Sequence, residues 1–318
     1  MSYILTIVIP SYNISKFVDS IFPSYIDNNL LGRLKILSID DGATDDTFTK
    51  VTKYVEKYPN LFYFIHKENG GHGSVINYAL DKLIDTKYFM VIDGDDWVYT
   101  KSLCNLVKYL ENCDDDLIIT NCSYEFKDHH TTSYGIRKNG DLNLRIHNVT
   151  FKTSIFRDNS ISVREGVFYE DSQYVLFPLE YVKKYSYFNE VVARYRQDDP
   201  NQSVNPLVQL KRKNHYETVL IDLLNYFNKI SNNNEIDEKI ISFIISSITR
   251  IMYGSFELNW SYSRNIKEAI VDCRKINQLY KKYPLIYKNM KHKYKRFNQM
   301  KFLNFNGIRI ARLLHKKR

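Results

Sequence analysis

The sequence predicts an α/β fold, a mostly parallel sheet flanked by helices over residues 1–205, followed by an α-helical region over 206–318. Three observations predict it. Short β-branched and aromatic runs alternate with stretches of helical period, the pattern of right-handed βαβ units. A polar cluster stands just after each of the first four strand-like runs. Beyond Pro206 the strand-like runs stop and only helical periods remain.

The elements follow in order. Ile4–Ile9 is apolar and β-branched and stops at Pro10, so it reads as the first strand. Ser15 is placed to cap a helix with apolar residues at Phe17, Val18, Ile21, Phe22, Tyr25 and Ile26, which Pro23 kinks or breaks. Lys35–Ile39 is the second strand. Thr44–Tyr58 reads as a helix with Phe48, Val51, Val55 and Tyr58 inward. Leu61–Ile65 is the third strand, and a glycine loop and a helix from about Val75 follow it. Tyr88–Ile92 is the fourth strand, followed by a helix over about 100–112 and a strand from Leu117. Residues 127–150 are polar and aperiodic, and read as a hairpin or loop insert over the sheet. A helix over Gln173–Tyr187 and a last strand over Val191–Arg196 close the front part. Val208–Ile230, Glu235–Leu258 and Asn265–Tyr283 read as helices.

Composition narrows the class. No run of about 18 apolar residues exists, so no membrane span is expected, and the start of the chain shows no signal-peptide pattern. The cysteines Cys104, Cys113, Cys122 and Cys273 lack metal-ligand spacing and suit a reducing compartment. The net charge of +9 is uneven. Residues 275–318 carry 14 Lys or Arg and no Asp or Glu, which leaves residues 1–274 mildly acidic. This asymmetry points to an anionic membrane surface as partner, the alternative being a basic face packed by the interleaved aromatics. No nucleic-acid recognition motif accompanies the charge.

The chemistry centres on Asp93-Gly94-Asp95-Asp96-Trp97. Crowded carboxylates at a strand end resist burial unless a cation offsets them, and hard divalent cations such as Mn2+ or Mg2+ take oxygen ligands beside substrate phosphates. The loops after parallel strands share one sheet edge, so Pro10-Ser11-Tyr12-Asn13, Asp40 to Asp45 and the glycine loop converge with the acidic turn on one pocket. Asp41 or Asp40 can accept the imide N–H of a base, and Tyr12 offers a stacking face or plain packing. Gly70, Gly71 and Gly73 let backbone approach a ligand closely. His72 reads as a structural loop residue rather than an acid–base group. Asn77 can pin the loop or touch a ligand.

Ile7 to Asn13, Asp40 to Thr47, Asn69 to Asn77 and Asp93 to Trp97 resemble, in this order, the motifs of glycosyltransferase family 2. Glu170-Asp171 resembles that family's catalytic pair. Tyr195-Arg196 with Gln202-Ser203-Val204 is similar to the segment that closes its site. The resemblance covers about 1–205 and implies a GT-A fold and inverting transfer from a nucleotide-diphosphate sugar. In its terms Asp171 is the base with Glu170 tuning it. Asp95 ligates the metal, with Asp93 ligating it or holding the ribose, and Asp41 reads the base. Pro10, Tyr12, Asp40, Asn69, Gly71, Asn77, Arg196 and Gln202 line the donor site. Arg196 pairs with the diphosphate or forms a surface salt bridge.

Two positions depart from the pattern. Ile76 stands where many members carry Arg, and Asp198 to Asn201 stand where relatives often have Arg-Glu-Gly. The function expected is hexosyl or N-acetylhexosaminyl transfer, from a UDP-sugar by preference. The acceptor is a glycan, lipid-linked or protein hydroxyl in bacterial cell-surface synthesis, on the cytoplasmic side and peripheral to the membrane. The alternatives are an idle sugar-nucleotide-binding partner subunit and a nucleotidyltransferase. Idle relatives would be expected to lose one of Asp93, Asp95 or Asp171, and the second would carry a basic glycine-rich loop after the first strand.

Overall fold

A computed structural model describes residues 3–128, 130–135, 141–197 and 202–309. The chain divides into two compact units, Met1–Asp199 and Pro200–Arg318. The first holds β1 (Leu5–Pro10), α1 (Ser15–Ile21), β2 (Leu34–Asp41), α2 (Thr47–Lys57), β3 (Phe62–Lys67), α3 (His72–Lys82) and β4 (Tyr88–Val91). It continues through β5 (Trp97–Val98), α4 (Thr100–Glu111), β6 (Leu117–Glu125), β7 (Thr131–Tyr134), β8 (Val149–Lys152), α5 (Thr153–Asp158), α6 (Asp171–Leu176) and β9 (Tyr185–Arg196).

Among the described residues these strands form one sheet in the order β3-β2-β1-β4-β8-β6-β9-β5, with β7 on β6. β1 lies parallel between β2 and β4, with Ile7 opposite Ile36 and Met90. Leu5 to Ile9 are buried without a break, as a strand covered on both faces must be. Beyond β4 the sheet turns mixed. β8 is antiparallel to β4 and β6, while β9 runs parallel to β6 through a bulge near Asn121.

Several expectations shift. Ser15 is the first helical residue of α1 rather than its cap. The orphan N–H groups there go to the next motif: Ile14 N–H to Thr47 Oγ1 at 2.9 Å and Ser15 N–H to Asp45 Oδ2 at 3.1 Å. Asn13, in the left-handed region that Asn tolerates, accepts the Thr44 N–H at 2.8 Å. At Pro23 the helix tightens into a 3-10 turn over Phe22–Tyr25. α2 starts at Thr47, and Phe48 is 55% exposed with its ring edge-on to Phe64 instead of inward. The helix expected over 173–187 ends early. α6 gives way to a 3-10 turn containing Pro178, and the alternating aromatics from Tyr185 enter β9. β5 is too short to show in sequence. The insert supplies β7 as a hairpin on β6, then β8; its residues 129 and 136–140 lie outside the described set, as do Asp198 to Asn201.

The second unit is helical: α7 (Pro206–Lys211), α8 (Lys213–Ile230), α9 (Glu238–Glu257), α10 (Ile266–Tyr280), α11 (Pro284–Lys293) and α12 (Lys295–Phe302). Phe256 centres its core, with Trp260, Tyr280, Phe297 and Phe305 around it. None of the described helices is long and apolar enough to cross a membrane.

Asp45 holds the start of α1 from a distance, so Asp45→Ala is expected to lower unfolding free energy by about 1 kcal/mol. Urea denaturation checks this, and the midpoint should fall with an unchanged slope.

Candidate active site

β1 to β4 are parallel, so the segments after Pro10, Asp41, Lys67 and Val91 leave the sheet at one edge. The motifs touch where glycines permit. A Cβ on Gly94 would stand 2.6 Å from the Pro10 carbonyl, so the first motif and the acidic turn close against each other there. A Cβ on Gly42 would meet Asn69 at 3.1 Å. Tyr12 is 51% exposed, as a stacking face requires.

The aspartates after β2 are buried and occupied. Asp40 accepts the Ala43 N–H at 2.7 Å and bonds His66 Nδ1 at 2.8 Å. Asp41 Oδ1 accepts Lys67 Nζ at 2.6 Å and the Gly70 N–H at 3.0 Å, while Oδ2 accepts the Gly71 N–H at 2.7 Å. Their first task is therefore to hold the loops. A carboxylate has about four acceptor sites, which leaves Asp41 one at Oδ2.

The glycine loop packs on protein. A Cβ on Gly73 would lie 2.3 Å from the Arg164 carbonyl, and the Gly166 N–H donates to the Gly70 carbonyl at 3.0 Å. Gly71, at φ +85°, leads into α3. Asn77 donates to the Val163 carbonyl and Glu165 Oε1, each at 2.8 Å, and accepts the Val163 N–H at 3.0 Å. Its amide thus pins the 163–165 loop, the first of the two roles the sequence allowed it. These contacts bring Glu170 and Asp171 to the sheet edge. His72 completes the join, with Nδ1 2.6 Å from Glu170 Oε1 and Nε2 3.1 Å from Asp93 Oδ1. Burial disfavours its imidazolium, but the bonds from Asp93 and Glu170 outweigh burial and hold its pKa well above 6.5.

The acidic turn is shared among several partners. Burial opposes charge on Asp93, yet the His72 bond keeps its carboxyl below the usual range. Burial and the charges of Asp95 and Asp93 push Asp96 well above it. Asp96 Oδ1 accepts the Arg196 N–H at 2.8 Å, and its buried Oδ2 has no hydrogen-bond partner among the described residues. Arg196 donates from Nε to the Asp95 carbonyl at 3.0 Å and lies over Phe17 and Trp97. These contacts tie it to the acidic turn. His147, from the insert, stands 3.7 Å from Asp96 Oδ2 and stacks on Tyr195. Burial lowers its pKa to about 4, so its ring is neutral. Ligand atoms of Asp93, Asp96 and His147 lie within 4.8 Å of one another. Two carboxylates, one with an orphaned oxygen, and a neutral imidazole make a donor set that fits Mn2+ or Mg2+. Asp95 is outside this trio.

Asp171 opens α6 on the accessible side of the site, beside buried Glu170. Surrounding protein and the Glu170 charge raise its carboxyl to about 6, against the lowering influence of His72. Glu170 Oε2 is buried without a hydrogen-bond partner among the described residues.

Residues 6–171, just over half of the chain, match the Glycosyl transferase family 2 model. The chain belongs to glycosyltransferase family 2. It is 34% identical over 119 residues to an uncharacterised glycosyltransferase of Mycoplasma genitalium, covering 37% of this chain and 39% of that protein. The chain thus spans about two-fifths of the length of the first curated relatives it matches. It is 27% identical over 194 residues to a teichoic acid poly(glycerol phosphate) polymerase of Staphylococcus epidermidis, covering 57% of this chain and 26% of that protein. Residues 1–349 of S. aureus TarS, solved in complex with UDP-GlcNAc, superpose with TM-score 0.60 at 15% identity, over 86% of this chain and 81% of that one. The mannosyltransferase PcManGT of Pyrobaculum calidifontis, with GDP-Man and Mn2+, gives 0.53 at 13% identity over 92% and 85%. The fold is GT-A.

Within this family 2 protein the structure gathers Asp93, Asp95, Asp96, Arg196, Glu170 and Asp171 at the edge where Tyr12 and Asp41 also stand. Gln202 belongs to the second unit, where its carbonyl accepts the Asn205 N–H at 3.0 Å. Ile76 is buried in the core and offers a donor nothing. Sequence reasoning missed Asp96 and His147 as neighbours. Asp96 was one acid among three, and a lone His in an aperiodic insert carries no signal.

Gly73→Ala forces its methyl into the Arg164 carbonyl, so the loop carrying Glu170 must shift. A stability loss of about 1–3 kcal/mol is expected, with loss of activity at temperatures where the variant stays folded. Thermal melting and assay of one sample check both.

Proposed function

We propose that this family 2 protein is an inverting glycosyltransferase that moves a sugar from a UDP-sugar to an acceptor hydroxyl in cell-surface glycan synthesis. The observation that carries the reading is Asp171, an accessible carboxylate raised to about 6 beside an oxygen-rich cation cradle. A base with its pKa near the working pH is both ionised and strong enough to receive a hydroxyl proton. Asp171 takes the acceptor proton, and Glu170 holds and tunes it. Inversion needs only this one base, opposite the leaving group. Tyr12 stacks the nucleobase, and the remaining lone pair of Asp41 Oδ2 accepts its imide N–H. Arg196 pairs with the diphosphate. Asp93 with Asp96 and His147 would hold Mn2+ or Mg2+, with Asp95 on the same turn. When bound, the cation stabilises charge developing on the diphosphate leaving group. The UDP preference and the cell-surface setting draw on what TarS binds and on what the teichoic acid polymerase is named for.

The test is nucleotide release across UDP-, GDP- and dTDP-sugars with Mn2+ and then excess chelator. UDP-sugars should be turned over, and chelator should stop it; activity untouched by chelator would remove the metal. Turnover should fall as pH drops through about 6, because protonated Asp171 cannot accept a proton. Asp171→Asn should abolish transfer and keep UDP binding. The raised carboxyl costs stability once pH climbs from its ordinary 3.8 through about 6, so the variant should melt above wild type at pH 7 and level with it near pH 4.

The acceptor is carried by a glycan, lipid or protein, and residues 275–318 dock the enzyme on an anionic membrane. α11 turns Ile286, Tyr287 and Met290 inward and leaves Leu285, Lys288, Lys291 and His292 exposed. α12 leaves Lys295, Asn298 and Phe302 exposed, and Phe302 is 90% exposed. The Asn298 side chain donates to the Lys291 carbonyl at 2.5 Å, so the two outward faces adjoin. Each cation near anionic lipid contributes about 1 kcal/mol. Full-length protein should sediment with anionic vesicles and not neutral ones. The binding should weaken as salt rises and should fall in Phe302→Ser. No salt effect would leave the tail as packing.

A further inference from the structure

His72 has no part in the chemistry proposed above, yet its ring spans the site. Nδ1 meets Glu170 Oε1 at 2.6 Å and Nε2 meets Asp93 Oδ1 at 3.1 Å. An ionised carboxylate only accepts hydrogen bonds, so a ring facing two of them must donate from both nitrogens. Neither nitrogen is then left to receive a proton from an acceptor, so the ring does not serve as the general base. The ring is also held in place. Asp41 takes the Gly71 N–H at 2.7 Å, and Gly71 at φ +85° turns the chain into α3. On the far side, the 163–166 segment is fixed to α3 and the glycine loop by Asn77, by Gly166 N–H to Gly70, and by the Arg164 carbonyl lying against Gly73. His72 is the last contact in that seam and the one that reaches the acidic turn.

We propose that His72 is a positioning residue: it clamps the loop ending in Glu170-Asp171 onto the acidic turn at Asp93, so one side chain sets the base relative to the donor. The proposal rests on the glycosyltransferase reading for its purpose, though not for its geometry. Without His72, Glu170 and Asp93 would face each other with no cation between them. Glu170, whose Oε2 is already an orphan, would lose its only hydrogen bond among the described side chains. The charge of Asp171 depends on this arrangement, because the surrounding protein and Glu170 raise its carboxyl and His72 lowers it.

The experiment uses full-length protein and the variants His72→Gln and His72→Ala. Carboxyl carbon NMR titration follows Asp171, assigned by the loss of its signal in Asp171→Asn. No donor is needed, so the titration stands even if UDP-sugars are not substrates. Both variants should titrate Asp171 higher by roughly one pH unit, as expected when an opposite charge nearby is lost. With UDP-sugar turnover in hand, kcat should fall about 10- to 100-fold, the usual scale for a lost outer partner, while the donor KM moves less than about threefold. If His72→Ala does not fold, His72→Gln carries the test, since its amide can still bond one carboxylate. A folded variant whose Asp171 titrates as in wild type overturns the proposal, and so does a defect confined to KM or to melting temperature.

Discussion

Carboxylates crowd at one sheet edge, and much of the first unit answers that crowding. Asp93, Asp95 and Asp96 arrive at the end of β4, and Glu170 and Asp171 are folded against them. Charges this close push one another's pKa values apart. Asp96 and Asp171 are raised, while Asp93 is kept low by His72. Compensation comes from His72 between two acids, from the Arg196 N–H on Asp96, and from the Arg196 guanidinium on the Asp95 carbonyl. Among the described residues two buried carboxylate oxygens have no hydrogen-bond partner, Asp96 Oδ2 and Glu170 Oε2. A polar atom left so in a folded protein is costly unless a ligand or ion completes it.

The same crowding explains the glycines. The acids can be brought together only if their loops approach at backbone distance. Gly94 lets the acidic turn close on Pro10, and Gly73 lets α3 close on Arg164. A side chain at either point would separate the acidic turn from the first motif or the loop ending in Glu170-Asp171 from α3. The glycine loop thus brings that loop to the sheet edge, and Asp40 and Asp41 fix the segments between.

In the sequence, Asp171 looks like any acid opening a helix. In the fold it differs from Asp93 by environment alone: one is raised to about 6 by the surrounding protein and the Glu170 charge, the other is lowered by His72. Two carboxylates with divergent pKa values at one site are suited to different tasks, and the proposed division is proton acceptance by Asp171 and cation binding by Asp93.

The sequence by itself determined the strand–helix alternation, the four motifs and their placement after β1 to β4. These are local matters, since a β-branched run before a polar turn reads the same in any context. It also carried the family, through motif order, and the change to helices beyond Pro206. Only the tertiary structure decided what those residues touch. It showed that Asn77 pins a loop, that Asp45 serves α1 instead of its own helix alone, that Phe48 faces solvent, and that β9 starts at Tyr185. It also brought His147 from the insert to Asp96 and His72 to Glu170, partners 98 residues apart. Such contacts follow from the register of strands that the chain brings together late. No local period encodes that register, so no single stretch of sequence announces it.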